Sequence, residues 1–203
     1  MADNYSVLVQ NNLDRLYRNL PEDLAAYLPG RREGDRFFFN AFGEKCTVAP
    51  GSIVLGSREH APVYSLLISL YALNASPGTC IHPPFRAFRE FPGSMPYAGA
   101  FASHTEQVMV PYVDRIKQAV PEIINTFDGE KAPGDVGGDV AFVVYPLPKI
   151  ALCYLFYEAD EDFAASATCL FSTNADEFMP LDGLADVGEY SSKKILSLIT
   201  KQA

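Results

Sequence analysis

The cysteine patterns that bind metals and clusters are missing from this chain. Its four cysteines, Cys46, Cys80, Cys153 and Cys169, stand 34, 73 and 16 residues apart, and none forms a CxxC pair. That spacing encodes neither a zinc ribbon nor the usual loop of an iron–sulfur cluster, so no cluster is expected within this chain. Cys153 and Cys169 fall inside apolar runs and read as small buried hydrophobes. Histidine is scarce, and His60, His82 and His104 include no pair at the spacing of a zinc-binding helix. No GxSxG elbow occurs. The glycine-rich stretch Gly134-Asp135-Val136-Gly137-Gly138-Asp139 precedes a strand instead of following one, the wrong context for a nucleotide-binding loop.

Basic charge is also in short supply. Sixteen Lys and Arg stand against 25 Asp and Glu, giving a net charge of −9 and a pI near 4.8. A nucleic-acid partner, which needs a basic face, is not expected. Long apolar runs are absent too: the stretches 61–73 and 141–157 are broken by polar residues or prolines. Neither reaches the roughly 18 uninterrupted apolar residues of a membrane span. The start, Met1-Ala2-Asp3-Asn4-Tyr5, has no positive region leading into an apolar one. The expected location is therefore the cytoplasm, with no membrane partner.

What is present is ordinary globular composition. At 203 residues, 48% hydrophobic and 20% charged, the chain is sized for one domain over 1–203. Val9, Leu13, Leu16 and Tyr17 recur at helical spacing, and Pro21-Glu22-Asp23 opens a second short helix, so N-terminal helices fill 1–30. The aromatic run Phe37-Phe38-Phe39, the turn at Gly43 and the segments Cys46-Thr47-Val48 and Ile53-Val54-Leu55 predict a small antiparallel meander over 36–56, with 31–35 a polar loop. A helical middle follows over 60–127. Its clearest helix, 62–74, is apolar nearly all round and therefore central to the core. The proline-braced stretch 80–98 reads as an ordered loop with one helical turn at 85–89, and loops of that length are often functional. Ser103 and Glu106 have the spacing of a capping box, and a kink or restart is expected at Pro111. Over 139–203 come three strands, with Pro146-Leu147-Pro148 as a turn, and a terminal helix. The middle strand, 150–157, is apolar almost throughout and so covered on both faces. This order of elements predicts an α+β fold, a mainly antiparallel sheet packed by helices.

Two groups of residues carry chemistry of interest. Glu158, Asp160, Glu161 and Asp162 fall within five positions just after the buried strand. Clustered carboxylates favour a hard divalent cation or split their pKa values for acid–base work. The plainer alternative is a solvated turn that closes a sheet edge. In the long loop, His82 stands near Arg86 and Arg89. An arginine pair braced by prolines suits a carboxylate or phosphate, or else both arginines satisfy neighbouring acids such as Glu90.

A series of short motifs runs through the same region: Phe88-Arg89-Glu90-Phe91-Pro92-Gly93, Gly137-Gly138-Asp139, Pro146-Leu147-Pro148, Asp160-Glu161-Asp162-Phe163 and Leu170-Phe171. In that order they resemble an uncharacterised domain family, a domain of unknown function found mainly in anaerobic bacteria and archaea. The resemblance runs from about residue 63 to 184, and more loosely over the N-terminal helices. Ser94 stands where a second glycine is usual, Asp162 where a glutamate is usual and Ser172 where an aspartate is usual. Some members carry an iron–sulfur cluster-binding domain in the same polypeptide. The resemblance thus implies redox or one-carbon metabolism, with a separate iron–sulfur or redox protein as partner here. It supplies candidate positions and no mechanism.

Two functional readings follow, with a structural one behind them. The first is a ligand- or partner-binding module in anaerobic redox or cofactor metabolism, its surface joining the 82–96 loop to the 158–162 turn. The second is a metal-assisted hydrolase or transferase. There the four carboxylates bind the cation, His82 is acid or base, and Arg86 or Arg89 holds an anionic substrate. The third is an oligomer formed through the aromatic strand at 37–42, since exposed apolar edges pair readily.

Overall fold

A computed structural model describes residues 4–57 and 59–200. The apolar face of α1 (Asn4–Arg18) buries Leu13 and Leu16. A one-turn α2 (Leu24–Tyr27) follows and buries Leu24. Next comes a four-stranded antiparallel sheet of β1 (Arg31–Glu33), β2 (Arg36–Ala41), β3 (Glu44–Ala49) and β4 (Ser52–Leu55), ordered as in sequence. The 31–33 segment is thus a strand and not the expected loop. Its side chains are all exposed, so no apolar alternation marks it, while Arg31 and Arg32 lie over the rings of Phe38 and Phe37. β2 is an inner strand with Phe37 and Phe39 buried, so the aromatic strand at 37–42 is not the pairing edge that was expected.

Helix α3 (Pro62–Leu73) packs on α1 and is buried at Val63, Leu67, Ile68 and Tyr71, as its apolar circumference demands. The proline-braced stretch contains a strand, β5 (Phe85–Ala87), then a 3₁₀ turn over Phe88–Glu90. Helical structure then runs from Met95 to Thr126 as α4 (Met95–Phe101), a π turn (Ala102–Glu106), a 3₁₀ segment (Gln107–Tyr112) and α5 (Val113–Thr126). Pro111 lies in the 3₁₀ segment, and the regular helix restarts two residues beyond it. Ser103 is not a cap. The helical run begins at Met95 with Pro96 in its first turn, so Ser103 is already inside it.

The second sheet holds β5, β6 (Glu130–Lys131), β7 (Val140–Leu147), β8 (Ile150–Tyr157) and β9 (Ser166–Ser172), antiparallel in the order β5-β9-β8-β7-β6. β7 extends through Pro146 and Leu147 by way of an irregularity after Val144, so the turn falls at Pro148 and Lys149. β8 is buried at every residue except Tyr157. Its Leu152, Tyr154 and Phe156 join the main core, while Ala151, Cys153 and Leu155 form a smaller cluster on the other face with Cys80, Phe85 and Leu170. The last helix, α6 (Leu181–Thr200), buries Leu184, Val187 and Ile195 in the main core. The result is an α+β domain of helices packed on two antiparallel sheets, the small meander and the larger C-terminal sheet, in line with the expected fold class. Among the described residues, no helix is long and apolar enough to cross a membrane.

Candidate functional site

Where β5 ends, β9 loses its outer neighbour: β5 pairs with Leu170, Phe171 and Ser172, and the chain then turns away at Phe88. The N–H of Cys169 on that open edge donates to Glu106 Oε1 at 3.0 Å. A carboxylate from the π turn thus stands in for the missing strand, and burial outweighs that bond in pushing its pKa up. The charge of Arg89 pulls it back down. Between Glu106 and Arg89 opens a cavity of about 440 Å³, walled by Phe88, Ala98, Phe101 and Thr168. Arg89 is exposed at this cavity and makes no hydrogen bond or ion pair among the described residues.

The cavity wall is held from behind by buried polar groups. Tyr154 Oη lies 2.9 Å from Ser192 Oγ, which donates to the carbonyl of Thr105 at 2.8 Å, so α6 grips the π turn. The close approach depends on Gly188, where a Cβ would come within 2.5 Å of the Phe101 ring and 3.1 Å of Thr105. Gly188→Ala gains helix propensity but overpacks this contact, and we expect a net loss of about 1–2 kcal/mol in urea unfolding. Unchanged stability would mean that the ring yields freely and that the wall is not rigid.

The other expected site residues are dispersed. Arg86 donates to the carbonyl of Glu90 at 2.5 Å and lies 4.5 Å from the Phe91 ring centre, so it braces the turn that presents Arg89. His82 is elsewhere, stacked on Phe85 with its Nε2 at 2.8 Å from Tyr145 Oη. Tyr145 in turn donates to Glu130 Oε1 at 2.6 Å. In the acidic turn, Glu158 pairs with Lys117 at 2.5 Å, while Asp160 Oδ1 accepts the N–H groups of Asp162 and Phe163 and so folds the turn on itself. Asp160, Glu161 and Asp162 are exposed, and the four carboxylates do not converge. Among the described residues, no group of three or more His, Cys, Asp or Glu side chains is placed to hold a metal ion. Among the described residues, no hydrogen bond or ion pair joins Arg86 or Arg89 to the turn.

Sequence reasoning missed Glu106, Tyr145 and Glu130 as site residues. Glu106 matched a capping spacing that concealed it. Tyr145 had one usable signal, a polar tip at an alternate position of an otherwise apolar strand.

The fold and this cavity define a two-sheet α+β domain with an arginine-bearing cleft at a sheet edge. No curated protein and no solved structure matches the chain. The family model described as Domain of unknown function (DUF3786) matches residues 21–194, and the chain belongs to that family. The match takes in the four-stranded sheet and most of α6, and so extends beyond the stretch from about 63 to 184 over which the resemblance was clearest.

Proposed function

We propose that the protein is a ligand-binding module whose cavity at Arg89 takes a small organic acid. The observation that supports this most is a guanidinium that makes no hydrogen bond or ion pair among the described residues and faces a 440 Å³ space. Arginine offers a planar fork matched to a carboxylate, and the rings of Phe88 and Phe101 suit an apolar body behind it. Glu106 would accept a donor group of the ligand or repel a second anionic one, which favours a single carboxylate over a phosphate. The setting belongs to the same proposal: cytoplasmic work in anaerobic redox or cofactor metabolism beside a separate iron–sulfur protein, as the family resemblance implies, without nucleic acid.

A thermal-shift panel of aromatic and aliphatic carboxylic acids tests it. An acid at 100 times its Kd adds about 2.7 kcal/mol of apparent stability. The shift should vanish in Arg89→Ala and persist in Glu161→Ala. A shift that survives Arg89→Ala, or one lost only in Glu161→Ala, contradicts the reading.

A further inference from the structure

The Arg89 cavity holds a second charge besides the guanidinium, the carboxylate of Glu106. Both residues line it, and among the described residues no ion pair joins them, so the space separates a cation from an anion. Each charge is placed without help from a ligand. Glu106 Oε1 accepts the Cys169 N–H at 3.0 Å, and no protein donor among the described residues meets its Oε2. Arg89 rides on the turn over Phe88–Glu90, where Phe91 N–H donates to the Phe88 carbonyl at 3.2 Å. Its sequence neighbour Glu90 is occupied elsewhere, with Oε2 accepting the Ala87 N–H at 3.1 Å. Burial raises the Glu106 pKa, and a half-buried carboxylate with an unmet oxygen gains from a cation brought within hydrogen-bond reach. Most of the remaining wall is apolar. The rings of Phe88 and Phe101 stack with centres 4.5 Å apart and 16° between planes, beside Ala98 and Ala102.

We propose that the ligand of this cavity is a free amino acid with an apolar side chain, its carboxylate on Arg89 and its ammonium on Glu106. The inference rests on the reading of Arg89 as the carboxylate clamp and adds the role of the second charge. A free amino acid is a zwitterion near neutral pH, and its two charges answer Arg89 and Glu106 sign for sign. A dicarboxylate sets an anion against Glu106, and an amine without a carboxylate leaves Arg89 unmet. A carboxylic acid without the ammonium satisfies Arg89 but leaves a desolvated carboxylate facing it. The apolar side chain goes to the ring and alanine wall. At about 440 Å³ the cavity lies within the roughly 300–1,000 Å³ of small-molecule sites.

The experiment is isothermal titration calorimetry of the full chain at pH 7 with two matched pairs. Phenylalanine is set against 3-phenylpropanoate, and leucine against 4-methylpentanoate, so that each pair differs only by the ammonium. We expect at least one amino acid to bind about 10-fold tighter than its deaminated partner, the scale of a single charge-assisted hydrogen bond. Glu106→Gln keeps an oxygen for the Cys169 N–H and should melt like wild type. In that variant the amino acid should weaken by about 10-fold, while its deaminated partner, no longer facing a negative charge, does not weaken. Arg89→Ala should abolish binding of both. Equal affinities within both pairs, with binding still lost in Arg89→Ala, overturn the amino-acid inference and leave the carboxylate clamp standing. An advantage of the ammonium that survives Glu106→Gln also overturns it. Binding that survives Arg89→Ala, or no binding by any of the four, overturns the clamp and the inference together.

Discussion

Raising the pH above about 9 is expected to unfold the protein cooperatively well before pH 12. Burial pushes the thiols of Cys46 and Cys153 up to about 12, and drives Cys169 upward as well. All three are at most 1% exposed. The ordinary thiol value is near 8.5. Above that the unfolded chain releases protons that the folded chain retains, and the folded state loses ground. The contribution is therefore complete below about pH 8.5 and is lost as pH climbs toward 12, by about 1.4 kcal/mol per pH unit for each thiol. Three thiols give about 4 kcal/mol per unit against a total stability of about 5–15 kcal/mol. The buried phenols of Tyr71 and Tyr154 and the half-buried one of Tyr64, all raised by burial, add to the loss above about pH 10. Lys149 acts the other way, since burial lowers its pKa and stability gains as it sheds its proton. It acts alone against these six groups, and the Cys80 thiol, also raised by burial, adds to their side. Urea unfolding at half-unit steps from pH 7.5 to 11 checks the slope, and Cys153→Ala should flatten it by about one third of the thiol contribution. Stability that stays level to pH 11 would mean that these thiols titrate in the folded state.

Removing one aromatic ring at a hairpin tip should have the next largest effect. Phe42 and Gly43 join β2 to β3 as a two-residue turn with φ of +48° and +75°. Such turns ordinarily project Asn or Gly into water. Here Phe42 is buried, edge-on to Tyr64 with ring centres 4.9 Å apart, and its N–H donates to the carbonyl of Pro146 at 2.7 Å. The tip thereby pins the small sheet to β7. Phe42→Ala retains the strained backbone and leaves a cavity, so we expect a loss of about 3–5 kcal/mol. The melting temperature should fall by about 10 °C, read by circular dichroism. A drop under about 1 kcal/mol would mean that the tip is loosely held and that the two sheets do not depend on it.

How much of this was legible depended on whether burial left a pattern. The apolar circumference of α3 and the run over 150–157 each signalled an element covered on several sides, and both are central. β1 left no pattern because Arg31, Arg32 and Glu33 all face water, and only backbone pairing makes it a strand. β5 was hidden among prolines, since three residues at a sheet edge are too few for alternation to show. The Ser103 and Glu106 spacing misled because a capping box is defined by where a helix begins, and the helix begins at Met95. Arg89 was readable as an anion clamp from its proline-braced loop. Its companion Glu106 was not, because only the end of β5 gives that carboxylate a strand edge to cover. The chain from His82 through Tyr145 to Glu130 spans 63 positions between its first two members, a pairing that no local motif encodes.

The central claim, that the cleft at Arg89 binds a carboxylic acid, is tested most directly by titrating benzoate into ¹⁵N-labelled protein and following the amide and arginine side-chain NMR signals. Saturable shifts are expected at Phe88, Arg89, Ala98 and Thr168, with little change at the acidic turn and none of that response in Arg89→Ala. Saturable shifts confined to other surfaces, or no saturable shift at all, would contradict it.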